Sequence, residues 1–208
     1  MNTFKENFKK IAKELENLDK EWSKDDIPAG YEKLLTHQNE IRPWSVHPNT
    51  AKLLKFFVVV TKAKVLLELG TSVGYSTLWL AWGAKITNGL VYTIELFEPK
   101  IKLAEEYFKK AKLDKYIIQI HGEISQELDK WTREVDFIFI DADKYNYLTY
   151  FKKMLPYLKK GGIMVADDVI IFTRYKEMRD FVEFVKNNQN LEIIRLNIEN
   201  GLLIAIKK

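Results

Sequence analysis

The first 60 residues differ in pattern from the rest of the chain. Apolar residues there recur at steps of three and four, the period of an amphipathic helix; they are Phe4, Phe8, Ile11, Leu15 and Leu18. Residues that break helices or favour turns follow at Pro28, Gly30, Pro43 and Pro48. Residues 1–60 are therefore predicted to form a helical lead-in that belongs to the same domain as the main body, residues 61–208.

From Lys64 onward, short and continuous apolar runs alternate with stretches of helical character. The predicted parallel strands are VLLEL (65–69), VYTIEL (91–96), YIIQI (116–120), VDFIFI (135–140) and GIMVA (162–166). The predicted helices cover roughly 75–85, 98–112, 123–131, 145–159 and 174–188. Apolar strands that are each followed by a helix indicate an α/β fold with a parallel sheet covered on both faces.

The end of the chain breaks this alternation. Two apolar runs, LEIIRLNI (191–198) and GLLIAI (201–206), are joined by Glu199-Asn200-Gly201. Asn-Gly between two such runs is a strong signal for a β-hairpin. Five parallel units closed by an antiparallel hairpin predict a seven-stranded, mostly parallel, Rossmann-like sheet.

Size and composition narrow the classes of protein. A chain of 208 residues favours one domain, and the absence of cysteine excludes disulfides, thiolate metal sites and a cysteine nucleophile. The net charge of +4 does not by itself indicate nucleic-acid binding. No apolar segment suits a secretory signal or a membrane span, so a cytoplasmic protein without membrane contact is expected.

The turn after the first strand is the first candidate for a ligand site, because ligands of open α/β sheets bind beyond the carboxyl ends of the strands. It reads ELGTSVGYS (68–76), with Gly70 and Gly74 at the turn. Glu68 would repel a pyrophosphate, but it could bind an ammonium group or a ribose hydroxyl. Glu95, at the end of the second strand, can accept both hydroxyls of a ribose. This spacing resembles the S-adenosylmethionine site of class I methyltransferases; a nicotinamide cofactor and plain tight-turn glycines are the alternatives.

Carboxylates follow the fourth and fifth predicted strands, which we expect to be neighbours in the sheet. Asp141 comes directly after the fourth strand, and Asp167 and Asp168 follow the fifth. Three carboxylates at one rim repel one another unless a cation neutralises them. Oxygen ligands suit Mg²⁺ best, with Mn²⁺ or Ca²⁺ as alternatives. Each acid could instead cap the helix that follows it.

Two segments, LLELGTSVGYSTLWLA and IDADKYNYLTYFKKMLPYLKKGGIMVADDV, resemble the cation-dependent O-methyltransferase family that includes the catechol and caffeoyl-coenzyme A enzymes. The likeness covers about residues 61–169. It implies metal ligands at Asp141, Asp167 and Asp168, and a catalytic Lys144 beside the acceptor hydroxyl. It implies cofactor contacts at Glu68, Gly70, Thr71, Gly74, Ser76, Glu95, Asp141 and Asp143. Relatives also line the cofactor entrance where Arg42, Trp44 and His47 stand here, although packing explains these three equally well.

Two departures from the family pattern stand out. The family has Asp-Asn where this chain has Asp167-Asp168, which would make the third ligand charged. The family's Leu-Trp-x-Gly stretch and its insertion are replaced by the short segment 169–174, so the acceptor pocket is expected to be either more open or shaped by the N-terminal helices.

The mechanism that the resemblance implies is methyl transfer to an activated hydroxyl. A divalent cation would lower the pKa of the acceptor hydroxyl, and Lys144, its own pKa lowered by that cation and the sulfonium, would take the proton.

The expected activity is therefore cation-dependent methylation of a small aromatic vicinal diol, by a homodimer as in many family members. The lead-in helix, which has no evident place in the sheet, suits a dimer. One alternative is methylation of a hydroxylated nucleoside in tRNA. Another is a non-catalytic protein that only binds the cofactor.

Overall fold

The computed structural model describes residues 2–22 and 43–208. The predicted breaks at Pro28 and Gly30, and Arg42, lie outside these ranges. The helices are α1 (Asn2–Trp22), α2 (Pro48–Val60), α3 (Tyr75–Thr87), α4 (Glu98–Lys110), α5 (Ile124–Asp129), α6 (Tyr147–Met154) and α7 (Lys176–Asn187). The strands are β1 (Val65–Leu69), β2 (Leu90–Glu95), β3 (Ile117–His121), β4 (Val135–Ile140), β5 (Leu158–Ala166), β6 (Leu191–Leu196) and β7 (Leu202–Lys207).

The seven strands form one sheet in the order β3-β2-β1-β4-β5-β7-β6. Strands β1 to β5 pair in parallel, whereas β7 runs antiparallel to both β5 and β6. The predicted seven-stranded α/β fold with a closing antiparallel hairpin is confirmed. The order of the strands reverses between β1 and β4, where the chain leaves β1 toward one edge and later returns to start the other half.

The lead-in helix α1 packs on the body of the same chain. Phe8, 1% exposed, meets Trp79 edge-on with ring centroids 4.9 Å apart and Trp82 at 4.5 Å. Ile11 and Leu15 join the same buried cluster. The apolar face that suggested a second subunit is thus covered by α3, so this helix does not by itself call for a dimer.

The helix predicted over 145–159 is shorter than expected, and the strand predicted over 162–166 is longer. Helix α6 ends at Met154, and β5 already begins at Leu158. Pro156 accounts for the difference, because it has no backbone N–H with which to continue the helix.

The hairpin β6–β7 packs its turn against the loop that follows β5. A side chain at Gly201, where φ is +93°, would place its Cβ 2.3 Å from Cγ1 of Ile170. The backbone N–H of Val169 donates to Gly201 O at 3.1 Å, and that of Ile170 donates to Asn200 O at 2.9 Å. This turn therefore lies directly behind the loop that carries Asp167 and Asp168. Among the helices in the described ranges, none has the length and apolar character of a membrane span.

Candidate active site

The two glycines of the turn after β1 bring neighbouring elements into close contact. Gly70 has φ of +99°, and a Cβ there would lie 2.1 Å from the carbonyl oxygen of Asp141. Gly74 has φ of +87°, and a Cβ there would lie 2.5 Å from the ring of Phe108. Glycine is thus required by packing at both positions, and it is Gly70 that lets the ends of β1 and β4 meet.

Glu95 is held at the end of β2 by backbone N–H groups. One carboxylate oxygen accepts from Ser72 N at 2.8 Å, and the other accepts from Leu96 N at 2.9 Å and Phe97 N at 3.0 Å. The side chain is 8% exposed beside the glycine turn. A carboxylate that is fixed in this way suits the hydroxyls of a ribose, and the cofactor contact at Glu95 stays a prediction.

Glu68 lies inside the fold rather than at its surface. Its carboxyl is fully buried and accepts hydrogen bonds from Ser76 Oγ at 2.6 Å, Thr77 Oγ1 at 2.5 Å and Thr93 Oγ1 at 2.7 Å. Thr71 Oγ1 in turn lies 2.6 Å from Thr93 Oγ1. Burial raises the pKa of Glu68 to about 7, although the three hydroxyls act to lower it. The structure thus gives Glu68, Thr71 and Ser76 polar partners within the protein, and their contacts with a cofactor stay predictions.

Lys144 joins two of the predicted metal ligands. Its Nζ lies 2.6 Å from Oδ1 of Asp141 and 2.9 Å from Oδ2 of Asp168, and it donates to Tyr147 Oη at 2.8 Å. Burial acts to lower the pKa of this ammonium, but the carboxylates of Asp141 and Asp168 outweigh it and raise the pKa well above its usual value. The lowered pKa expected from the sequence presupposes a second cation that shares these carboxylates.

Asp167 completes the group of acids. It is 6% exposed, and its pKa is raised to about 8 by burial and then by the charges of Asp141 and Asp168. In the described ranges no three acids are arranged as ready metal ligands. The carboxylates of Asp141, Asp167 and Asp168 nevertheless fit a divalent, oxygen-preferring cation in donor type and in charge.

The sequence analysis assigned no role to Asn200. Its side-chain amide Nδ2 donates to Oδ1 of Asp168 at 2.9 Å, although 32 residues separate the two along the chain. Asp168 has φ of +62°, a left-handed conformation that is uncommon for residues other than glycine, although aspartate adopts it more often than most. Both oxygens of its carboxylate are therefore engaged, one by Lys144 and the other by Asn200. The Asn-Gly hairpin signal was the only sign in the sequence that pointed to this residue.

Lys100 is a second residue that the sequence analysis missed. It is 5% exposed on α4, and its Nζ lies 4.5 Å from the ring centroid of Trp44. Burial lowers the pKa of Lys100, while Glu95 and Asp141 act to raise it. A buried cation thus stands close to two predicted cofactor contacts. Its helix contains several exposed lysines, so nothing in the sequence distinguished it.

Two further predicted contacts occupy connecting segments. Asp143 accepts from Tyr145 N at 3.1 Å and from the side-chain amide of Asn146, so it shapes the turn that leads into α6. His47 is the N-cap residue of α2, and its Nδ1 lies 2.7 Å from Oε1 of Glu199. Their roles at the cofactor or its entrance stay predictions.

Comparison with known proteins identifies the family of this chain. The profile of the O-methyltransferase family matches residues 29–208. The chain is 37% identical over 131 residues to a catechol O-methyltransferase of Niastella koreensis, a match that covers 61% of this chain and 58% of that enzyme. It is 29% identical over 190 residues to the caffeoyl-CoA O-methyltransferase of Medicago sativa, covering 78% and 76%. The crystal structure of an O-methyltransferase from Bacillus cereus in complex with SAH superposes with a TM-score of 0.74 at 28% identity, covering 93% of this chain and 100% of that one.

The fold and the site define a class I methyltransferase. The chain belongs to the O-methyltransferase family, and the resemblance seen in its motifs is confirmed. It is an S-adenosylmethionine-dependent O-methyltransferase, which decides against a nicotinamide cofactor and against a non-catalytic binding protein.

Proposed function

We propose that the enzyme methylates one hydroxyl of a small aromatic vicinal diol, with a divalent cation held by Asp141, Asp167 and Asp168. The observation that carries this proposal is the ammonium of Lys144, shared by Asp141 and Asp168 at the rim of the sheet. This arrangement supports a site in which positive charge offsets the charge of the carboxylates next to the acceptor oxygen.

The cofactor side of the site lies at the ends of β1 and β2. Glu95 would accept the ribose hydroxyls, because its carboxylate is already oriented by three backbone N–H groups. Gly70 keeps this end of β1 in contact with Asp141, which brings the cofactor turn next to the acid cluster. S-adenosylmethionine supplies an electrophilic methyl group, so the protein must hold the acceptor oxygen in line with it.

The acceptor side of the site lies at the ends of β4 and β5. A divalent cation bound there would act as a Lewis acid that lowers the pKa of two adjacent hydroxyls and orients them. Lys144 stands beside the same carboxylates and would take the proton of the reacting hydroxyl once they are shared with that cation. Asn200 would keep Asp168 oriented during this exchange.

The test is transfer of labelled methyl from S-adenosylmethionine to a panel of catechols and to bulk unmodified tRNA, with Mg²⁺ or with chelator. We expect methylation of catechols that is lost with chelator and restored by Mg²⁺ or Mn²⁺, while the cofactor still binds. Full activity after exhaustive chelation, or labelling of tRNA alone, would contradict the proposal.

Matched variants separate the acid cluster from general effects of charge. Asp141→Asn should abolish turnover and weaken the retention of Mn²⁺ in equilibrium dialysis. Asp180→Asn removes an acid that pairs with Lys176 on the exposed side of α7, so it should leave both unchanged. The homodimer and the cytoplasmic location expected from the sequence are further proposals, and sedimentation of the purified protein tests the first.

A further inference from the structure

An aromatic and basic segment follows Asp168 and borders the acid cluster. It contains the short 3₁₀ helix Ile171–Arg174 and ends at Tyr175. The rings of Phe172 and Tyr175 are stacked with centroids 5.8 Å apart, and Tyr145 meets Tyr175 edge-on at 5.7 Å. All three side chains are half-buried, so part of each ring is open to solvent. We call these three rings the aromatic shelf.

The shelf reaches from the catalytic lysine to an arginine. Nζ of Lys144 lies 5.7 Å from the ring centroid of Phe172. The guanidinium carbon of Arg174 lies 5.8 Å from the same centroid and 5.0 Å from that of Tyr175. A flat ring placed on the shelf with its hydroxyls at Lys144 would therefore have Arg174 within reach of its substituents.

The guanidinium of Arg174 is available to bind a ligand. Its side chain is exposed, and among residues 2–22 and 43–208 no carboxylate forms an ion pair with it. The neighbouring cations are engaged, since Lys176 pairs with Asp180 at 2.5 Å and Arg179 donates to the carbonyl oxygens of Thr173 and Arg174. A guanidinium with its N–H groups available is suited to bidentate binding of a carboxylate.

We propose that the aromatic shelf holds the ring of the acceptor and that Arg174 binds a carboxylate attached to that ring. This inference rests on the proposed function and names its substrate class, an aromatic vicinal diol that carries an acid group. Offset stacking on Phe172 and Tyr175 orients the ring, and Arg174 fixes which end of the acceptor faces Lys144. Neutral catechols use only the shelf, and catechols with an ammonium group meet a like charge.

The experiment compares 3,4-dihydroxybenzoate, catechol and dopamine as acceptors for the wild-type enzyme, Arg174→Gln and Lys176→Gln. We expect the wild type to favour the benzoate. Arg174→Gln should raise KM for the benzoate by about 10- to 100-fold, the effect of losing hydrogen bonds to a charged group, and leave kcat and the KM for catechol nearly unchanged. Lys176→Gln removes the same charge two residues away and should change neither KM.

Binding provides a readout that does not need turnover. Calorimetry with 3,4-dihydroxybenzoate, in the presence of Mg²⁺ and S-adenosylhomocysteine, should show weaker binding to Arg174→Gln than to the wild type. If the wild type methylates no catechol, the proposed function fails, but this measurement still decides the role of Arg174.

Three results would overturn the inference. One is an equal effect of Arg174→Gln on the benzoate and on catechol, in KM and in binding. Another is no effect on the benzoate at all. The third, when tRNA and caffeoyl-CoA are assayed as additional acceptors, is a loss confined to one of them, because it would assign Arg174 to a phosphate of a larger substrate.

Discussion

The amide of Asn200 donates a hydrogen bond to Oδ1 of Asp168 at 2.9 Å, while Oδ2 of the same carboxylate lies 2.9 Å from Nζ of Lys144. One aspartate thus connects Lys144 to the hairpin between β6 and β7. An outer partner of this kind sets the direction of a carboxylate and thereby its ability to hold a cation. The proposed metal site accordingly depends on a residue that would not touch the metal.

Removing this amide should weaken the binding of the cation. We expect Asn200→Ala to raise the Mg²⁺ concentration for half-maximal activity by about 10- to 100-fold, with a smaller effect on kcat at saturating Mg²⁺. Titration of activity with Mg²⁺ measures both quantities. Asn190→Ala, an exposed asparagine just before β6, is the matched control. An unchanged Mg²⁺ requirement in Asn200→Ala would show that the hydrogen bond does not act on the cation.

Loss of the carboxylate of Glu95 should weaken the cofactor. Glu95→Ala is expected to reduce the binding free energy of S-adenosylhomocysteine by about 1–3 kcal/mol, because hydrogen bonds to a charged group are removed. Calorimetry measures this change, and Glu98→Gln, an exposed acid at the start of α4, serves as the control. Equal affinities in all three proteins would remove Glu95 from the cofactor site.

Replacement of Lys144 should separate catalysis from binding. If Lys144 takes the proton of the acceptor, Lys144→Ala should lower kcat by about 10²–10⁴ and leave the affinity for S-adenosylhomocysteine nearly unchanged. The loss should be smaller for a nitro-substituted catechol, whose hydroxyl ionises without a base. Initial rates with catechol and nitrocatechol provide the comparison. An equal loss for both acceptors would mean that Lys144 orients the acceptor or stabilises charge.

Burial of Glu68 should make stability depend on pH in a defined direction. Its pKa is raised from 4.5 to about 7, so the folded state holds the proton more tightly than the unfolded state. The stability that this proton gives is fully present below pH 4.5 and is lost as the pH rises through 7. This loss amounts to about 3 kcal/mol, from 1.36 kcal/mol for each pKa unit.

Glu68→Gln keeps the shape of the side chain but stays neutral at every pH. The variant should therefore gain stability over the wild type between pH 5 and pH 8, and each kcal/mol corresponds to about 2–4 °C in Tm for a chain of this size. Thermal unfolding of both proteins at the two pH values checks this. Glu98→Gln should show no such gain, since the pKa of that exposed acid is lowered by Lys102. A constant difference in Tm between Glu68→Gln and the wild type would contradict the argument.

Most of the fold followed from the sequence because its signals are local. Continuous apolar runs marked β1 and β4 at their observed bounds, and the Asn-Gly pair marked the turn between β6 and β7. The end of α6 was misjudged, since apolar periodicity continued past the point at which Pro156 ends the helix. The position of α1 could not be predicted, because the partners of Phe8 lie more than 70 residues away at Trp79 and Trp82.

The candidate site was less accessible to sequence reasoning. Positions after strands were predictable, and the structure brings Asp141, Lys144 and Asp168 together as expected. The contacts of a side chain depend on elements that are distant in the sequence. The contacts of Asn200 and Lys100 could therefore be identified only from the folded structure. Glu68, by contrast, stood in a recognised motif, but the motif did not reveal that three hydroxyls enclose its carboxyl.

The position of β7 between β5 and β6 has a consequence for the order of folding. Strand β6 cannot join the sheet before β7 does, so the two enter as a hairpin or β7 enters first. Asn200 lies in the turn that leads into β7, so it reaches Asp168 only once β7 has paired with β5. A chain in which β7 has not yet paired with β5 would therefore lack the hydrogen bond that orients Asp168, so the acceptor side of the site depends on the C-terminal hairpin.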